Sequence, residues 1–121
     1  MEISQTLNSA RLVGLFYETK GQAAIKEYKL TKTEFHILSF LINNPKHNNA
    51  KAIEEYKKIP KASVSLALES LIDKKLITKK PDDKDRRVQH LYLTHRVDKI
   101  QQILLAVNKE LATLLFEGFT E

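Results

Sequence analysis

The sequence predicts a mainly α chain with one small β-hairpin set before its last helix, and three observations carry that prediction. Apolar residues recur at helical spacings of three and four over most of the chain. Strand-like alternation is confined to residues 76–93. The excess positive charge sits in residues 57–87, across the fourth helix and the hairpin. At 121 residues the chain has the length of one domain. Its 42% hydrophobic and 29% charged residues, with three Gly and three Pro, are the composition of a folded protein with a real core.

Residues 3–28 read as one helix. Ile3, Leu7, Ala10, Gly14 and Tyr17 form a row at spacings of four and three, and Leu12, Val13, Leu15 and Phe16 widen its apolar side into a buried or partnered face. Thr31 or Thr33 caps the second helix, and Thr31 with Glu34 matches the capping box, in which side chains and backbone bond reciprocally. Phe35, Ile37, Leu38, Leu41 and Ile42 give that helix a core face, and Asn43, Asn44 and Pro45 stop it. A short third helix is expected over Ala50–Lys58, with Ile53 and Tyr56 inward. Pro60, whose missing N–H costs nothing there, suits the first turn of a fourth helix that runs to about Lys75 with Val64, Leu68, Leu71 and Ile72 inward. Leu76, Ile77 and Thr78 begin a strand, Lys79–Arg87 is a polar turn, and Val88, His90 and Tyr92 alternate with Gln89, Leu91 and Leu93 in the return strand. From Arg96 to about Gly118, Val97, Ile100, Leu104, Val107, Leu111 and Leu114 alternate at three and four, a heptad seam that Ile103 and Leu115 widen.

Residues 57–87 hold ten basic and five acidic side chains, while the other 90 residues carry ten of each, so the chain's net charge of +5 belongs to this segment. A basic patch suits a polyanion, because each phosphate it neutralises releases condensed counterions. A solvated, lysine-rich face has the same composition. Four helices, a basic hairpin and a last helix is winged helix-turn-helix order. In that architecture a tri-helical core holds its last helix toward the major groove, and the hairpin, or wing, reaches the backbone or adjacent minor groove.

The absence of Cys removes disulfides, thiolate nucleophiles and cysteine zinc sites. With no signal-peptide pattern at the N-terminus and no run of ~18 apolar residues, a cytoplasmic protein without a membrane span is expected. His36, His47, His90 and His95 are not paired four apart on a helix, so neither metal nor cofactor is expected. No nucleophile elbow, phosphate loop or paired-carboxylate setting points to an enzyme.

From Leu30 to Thr94 the chain resembles the MarR (multiple-antibiotic-resistance regulator) family, in a short form similar to the staphylococcal accessory regulators. The resemblance rests on Leu30-Thr31 opening a helix, Ala62-Ser63-Val64-Ser65, the run Leu71-Ile72-Asp73-Lys74-Lys75-Leu76-Ile77, and above all Asp85-Arg86-Arg87 eight positions before Leu93-Thr94. It implies a single winged-helix domain over 1–121, with 30–94 as its DNA-binding part and 1–29 and 95–121 as dimerisation helices. In the implied site Arg87 enters the minor groove while Asp85 holds its guanidinium as a bidentate pair. Arg86 serves the DNA backbone, and Lys84 belongs to the same basic tip. On the recognition helix Lys61, Ser63, Ser65 and Leu66 face the major groove, although the two serines read equally well as plain exposed helix residues. Leu66 stands where the family often has a basic residue, which shifts readout toward thymine methyl contact or the wing, and Lys75 stands where Gly is usual.

The resemblance implies a homodimeric, sequence-specific transcription regulator, more often a repressor, on a pseudo-palindromic double-stranded DNA operator. The family's habit adds a small, aromatic or anionic effector bound between the dimer helices and the DNA-binding part. Tyr17, Phe35, His36 and Phe40 are candidate pocket residues that core packing would place equally well. The alternative is a winged-helix module that binds protein or RNA without operator recognition.

Overall fold

The computed structural model describes the backbone of residues 3–119 and the side chains of residues 11–116. Its elements run α1 (Ile3–Lys20), α2 (Gln22–Glu27), α3 (Lys32–Asn43), α4 (Ala50–Lys57), α5 (Lys61–Asp73), β1 (Ile77–Pro81), β2 (Gln89–Leu93), a 3-10 turn (His95–Val97) and α6 (Asp98–Phe119). β1 and β2 form a two-stranded antiparallel sheet in which Ile77 faces Leu93 and Pro81 faces Gln89. This is the mainly α, winged-helix order that the sequence predicts. Among the described residues, no helix is long and apolar enough to cross a membrane.

α3 is the central element, packed against α5, α6 and β2. Its Phe35, Ile37 and Leu38 are fully buried and meet a core to which Ile53, Leu71 and Leu104 also belong. Each such side chain contributes roughly 1.5–3 kcal/mol of transfer free energy. The capping box forms as read: Thr31 Oγ1 accepts the Glu34 N–H at 3.0 Å, and Glu34 Oε1 accepts the Thr31 N–H at 2.9 Å.

The single helix expected over residues 3–28 is broken at Gly21, which joins α1 to α2 with φ −89° and ψ 4°. A β-carbon on Gly21 would lie 2.7 Å from Cε1 of Phe35 and closer still to its Cζ, so the first helix breaks where the fully buried Phe35 ring presses on its backbone. The Ile3, Leu7 and Ala10 side chains of the predicted apolar row lie outside the described residues. Tyr56, expected inward, is 61% exposed; on this two-turn helix Ala52 and Ile53 take the inner positions, and Tyr56 lies across the rings of Phe40 and His47. Pro60 caps α5 rather than occupying its first turn, and α5 ends at Asp73.

α2 and α5 end alike. Lys29 (φ 53°) and Lys75 (φ 61°) are left-handed. Leu30 N–H then bonds Ile25 O at 2.9 Å, and Leu76 N–H bonds Leu71 O at 3.0 Å, the six-to-one bond of a Schellman turn. Lys75 therefore adopts the conformation that explains a Gly preference at its position. β1 extends through Pro81, so the polar turn is shorter than expected, and the α6 seam changes character along its length. Val97, Ile100, Leu104 and Val107 are buried, Leu111 is half-buried and Leu114 is 50% exposed.

Candidate nucleic-acid interface

α5 buries Val64, Ala67, Leu68 and Leu71 on one side because these positions recur at three and four. The same period turns Lys61, Ser63, Ser65 and Leu66 to solvent. Leu66 is 71% exposed, an apolar side chain presented outward on an otherwise polar face. Ser63 and Leu66 border a shallow groove shared with Thr31 and Thr33 at the start of α3. Ser65 faces a second one with Lys79 and Gln89 of the wing. Lys61 faces a third, whose other walls include Lys51 and Asn49 on one side and Arg87 and Gln89 on the other. The structure thus adds Lys51, Lys79 and Gln89 to the basic and polar residues beside α5. They were missed because nothing in the linear pattern fixes where α4 and the strands lie beside that helix.

The wing tip is an ordered turn. Asp82 Oδ2 accepts the backbone N–H groups of Lys84 (3.0 Å) and Asp85 (2.9 Å), while Asp82 N–H bonds Val88 O and Val88 N–H bonds Asp85 O. On this turn Asp85 receives Arg87 twice through its side chain, Nε to Oδ1 at 3.0 Å and Nη2 to Oδ2 at 3.1 Å, and once through the Arg87 N–H. The guanidinium holds the Asp85 carboxyl below the usual carboxylate range. Arg87 nevertheless remains 90% exposed in its side chain, so three of its five N–H groups stay available to a further acceptor. Lys84 and Arg86 are also exposed at this tip. As a surface ion pair the Asp85–Arg87 contact contributes little stability. Its consequence is geometric, because it fixes a long cationic side chain in one orientation before any partner arrives.

The opposite end of α5 is tied to α3. The Glu34 carboxylate, in a residue 3% exposed, accepts Ser70 Oγ–H at 2.7 Å and Lys74 Nζ at 3.1 Å, and Lys74 also donates to Lys29 O at 2.7 Å. Burial by itself would raise the Glu34 pKa; the bonds from Thr31, Ser70 and Lys74 outweigh it and lower the value. Ser70 and Lys74 thus brace the helix rather than facing outward.

Tyr17, His36 and Phe40 border one cavity between α1 and α3, together with Asn43, Asn44 and Lys57. Phe35 does not belong to it: its ring is wholly buried against Gly21, so the expectation that it lines the pocket is corrected. His36 Nε2 meets Glu18 at 2.8 Å, and desolvation lowers the Lys57 pKa. Tyr17 OH donates to Asn108 Oδ1, whose amide nitrogen reaches Asn43 Oδ1 at 3.0 Å, so the cavity wall is bonded to α6. Among the described residues, no three His, Asp or Glu side chains gather as a metal site.

Comparison with known proteins agrees with this architecture. The chain is similar in fold to the transcription regulator MarR from Oenococcus oeni PSU-1, with a TM-score of 0.71 and 21% identity over 99% of this chain and 88% of that one. It is also similar to MepR of S. aureus, solved in complex with DNA, at a TM-score of 0.66 and 21% identity over 91% of this chain and 82% of that one. A MarR protein from Peptoclostridium difficile DA00132 gives 0.69 and 24% over 98% and 74%. No curated protein matches the chain in sequence. At these identities the likeness speaks for the fold, whereas the family model, described as the MarR family, matches residues 28–88, just over half of the chain. The chain therefore belongs to the MarR family of transcription regulators.

Proposed function

We propose that the protein is a homodimeric, sequence-specific DNA-binding transcription regulator of the repressor type. Each protomer sets residues 60–75 in a major groove and the wing in the flanking minor groove, with residues 30–94 as the DNA-binding part. The observation that carries the reading is the Asp85–Arg87 pair, a guanidinium clamped bidentately yet 90% exposed at the tip of a basic hairpin. A narrow minor groove concentrates negative potential and attracts such an arginine, and a clamped side chain loses less entropy on entering it. The similar MepR of S. aureus, solved with DNA, supports the same partner here.

The second protomer is argued from unburied apolar surface. Leu12 and Leu15 on α1, and Leu114, Leu115 and Phe116 on α6, are 46–73% exposed, on the two helices the resemblance assigns to dimerisation. A small aromatic or anionic effector in the cavity of Tyr17, His36 and Phe40 would act from between these helices and the DNA-binding part, where Lys57 suits an anion.

Anisotropy of a labelled duplex, selected from random DNA, tests the reading. Affinity should fall steeply with salt as phosphate contacts are lost. Arg87→Ala should cost about 1–3 kcal/mol, roughly five- to 150-fold in Kd. Equal binding by wild type and Arg87→Ala would overturn the wing assignment, and salt-insensitive binding would overturn the phosphate-contact mechanism.

A further inference from the structure

The outermost row of α5 lies opposite its buried residues. Val64, Ala67, Leu68 and Leu71 face the core, and the helical period sets Ala62, Leu66, Glu69 and Asp73 on the far side, at spacings of four, three and four. All four are exposed, Leu66 at 71%. The row is apolar in its N-terminal half and acidic in its C-terminal half. Phosphates line both edges of a major groove and repel the two carboxylates. The half that sits deep is therefore the one carrying Ala62 and Leu66, the end from which recognition helices reach base edges.

What that half reads follows from its side chains. The planar groups that pair bidentately with guanine or adenine belong to Arg, Asn and Gln, and α5 has none of them. Its single lysine, Lys61, opens into the groove shared with Lys51 and Arg87. Ser63 and Ser65 flank the row, one toward Thr31 and Thr33 and the other toward Lys79 and Gln89, and a hydroxyl bonds phosphates and several base edges alike. Leu66 has neither donor nor acceptor. The apolar group that a base pair presents in the major groove is a pyrimidine 5-methyl, that of thymine or of a methylated cytosine.

We propose that Leu66, beside Ala62, is the specificity-determining residue of α5 and selects a pyrimidine 5-methyl group, so that each half-site carries a thymine there which 5-methylcytosine replaces and uracil does not. This rests on the reading of α5 as a major-groove helix. Against a methyl group the isobutyl side chain gains a dry apolar contact; against a purine N7 or a bare pyrimidine edge it strips water from polar atoms and bonds none of them.

The test is anisotropy of the selected duplex with the thymines of one half-site replaced one at a time by uracil, which removes the methyl group and keeps every hydrogen-bonding atom. Wild type should lose about three- to fivefold at the position facing Leu66, the worth of one buried methyl group. A cytosine–guanine pair placed there should bind weakly, and its 5-methylcytosine form about three- to fivefold more tightly. Leu66→Ala should bind the parent duplex more weakly and lose both methyl gaps at that position; the side chain is exposed, and circular dichroism checks that the variant is folded. Wild type indifferent to uracil at every position would overturn the proposal. Methyl gaps as large in Leu66→Ala as in wild type would do the same, since the methyl group would then act through DNA shape or another residue. A large Arg87→Ala loss beside absent methyl gaps overturns the role of Leu66 alone, whereas salt-insensitive binding that is equal in wild type and Arg87→Ala removes the DNA-contact reading itself.

Discussion

Gly21 and Gly14 lie seven residues apart on the first helical segment, and the same substitution should have opposite effects at the two. At Gly14 an added β-carbon meets nothing within 4 Å, so Gly14→Ala should gain the helix-propensity difference of roughly 0.5–1 kcal/mol. At Gly21 the new carbon meets Phe35 Cε1 at 2.7 Å and Tyr17 O at 3.0 Å, and Phe35 is wholly enclosed and has no room to retreat. Overpacking of this kind costs roughly 1–3 kcal/mol, and because Gly21 sits in the break between α1 and α2 no gain of interior helix propensity offsets it. Urea unfolding followed by circular dichroism, at one protein concentration because association adds to apparent stability, measures both. Phe35→Leu in the Gly21→Ala background should recover part of the loss expected from adding the two single effects. If Gly21→Ala were as stable as Gly14→Ala, Phe35 would not be what breaks the first helix.

Other consequences are as direct. Lys75→Gly relieves a left-handed lysine at a Schellman turn and should raise stability by about 0.5–1 kcal/mol in the same assay, the strain relieved exceeding the entropy glycine adds to the unfolded chain. Glu34→Ala removes the shared acceptor of Thr31, Ser70 and Lys74 and should cost about 1–3 kcal/mol. Because the folded Glu34 pKa is depressed, its contribution is present above its ordinary 4.5 and disappears as pH falls through the lower folded value; the variant should show a flatter acid limb than wild type in unfolding measured from pH 7 downward. Phe116→Glu places a charge on the exposed end of α6 and should move sedimentation at micromolar concentration from dimer to monomer. A wild type that sediments as a monomer would contradict the two-protomer arrangement.

What could be read from the sequence was local. The Thr31–Glu34 box, the inward row of α5 and the charge concentrated in residues 57–87 each depend on spacing within one element, and each stands in the structure. The Asp85–Arg87 clamp spans only two residues and was legible from the resemblance alone. The misreadings involve contacts between distant residues. The Gly21 break is imposed by a ring 14 positions away, and Tyr56 is outward because two inner positions suffice for a two-turn helix. Phe35 is only a candidate for the ligand wall in sequence, because an aromatic beside His36 looks the same whether it lines a cavity or, as here, fills a core. Lys51 joins Lys61 and Arg87 only once α4 and the wing are packed.

The central claim is that α5 and the clamped wing arginine read one duplex together, in adjacent major and minor grooves. Hydroxyl-radical footprinting on a selected duplex, with wild type and Arg87→Ala side by side, tests it most directly. Wild type should protect two half-sites on one face of the DNA, about one helical turn apart, each flanked by a protected minor groove. Arg87→Ala should lose the flanking minor-groove protection first and keep the centre at higher protein concentration. Identical footprints from the two proteins would contradict the account.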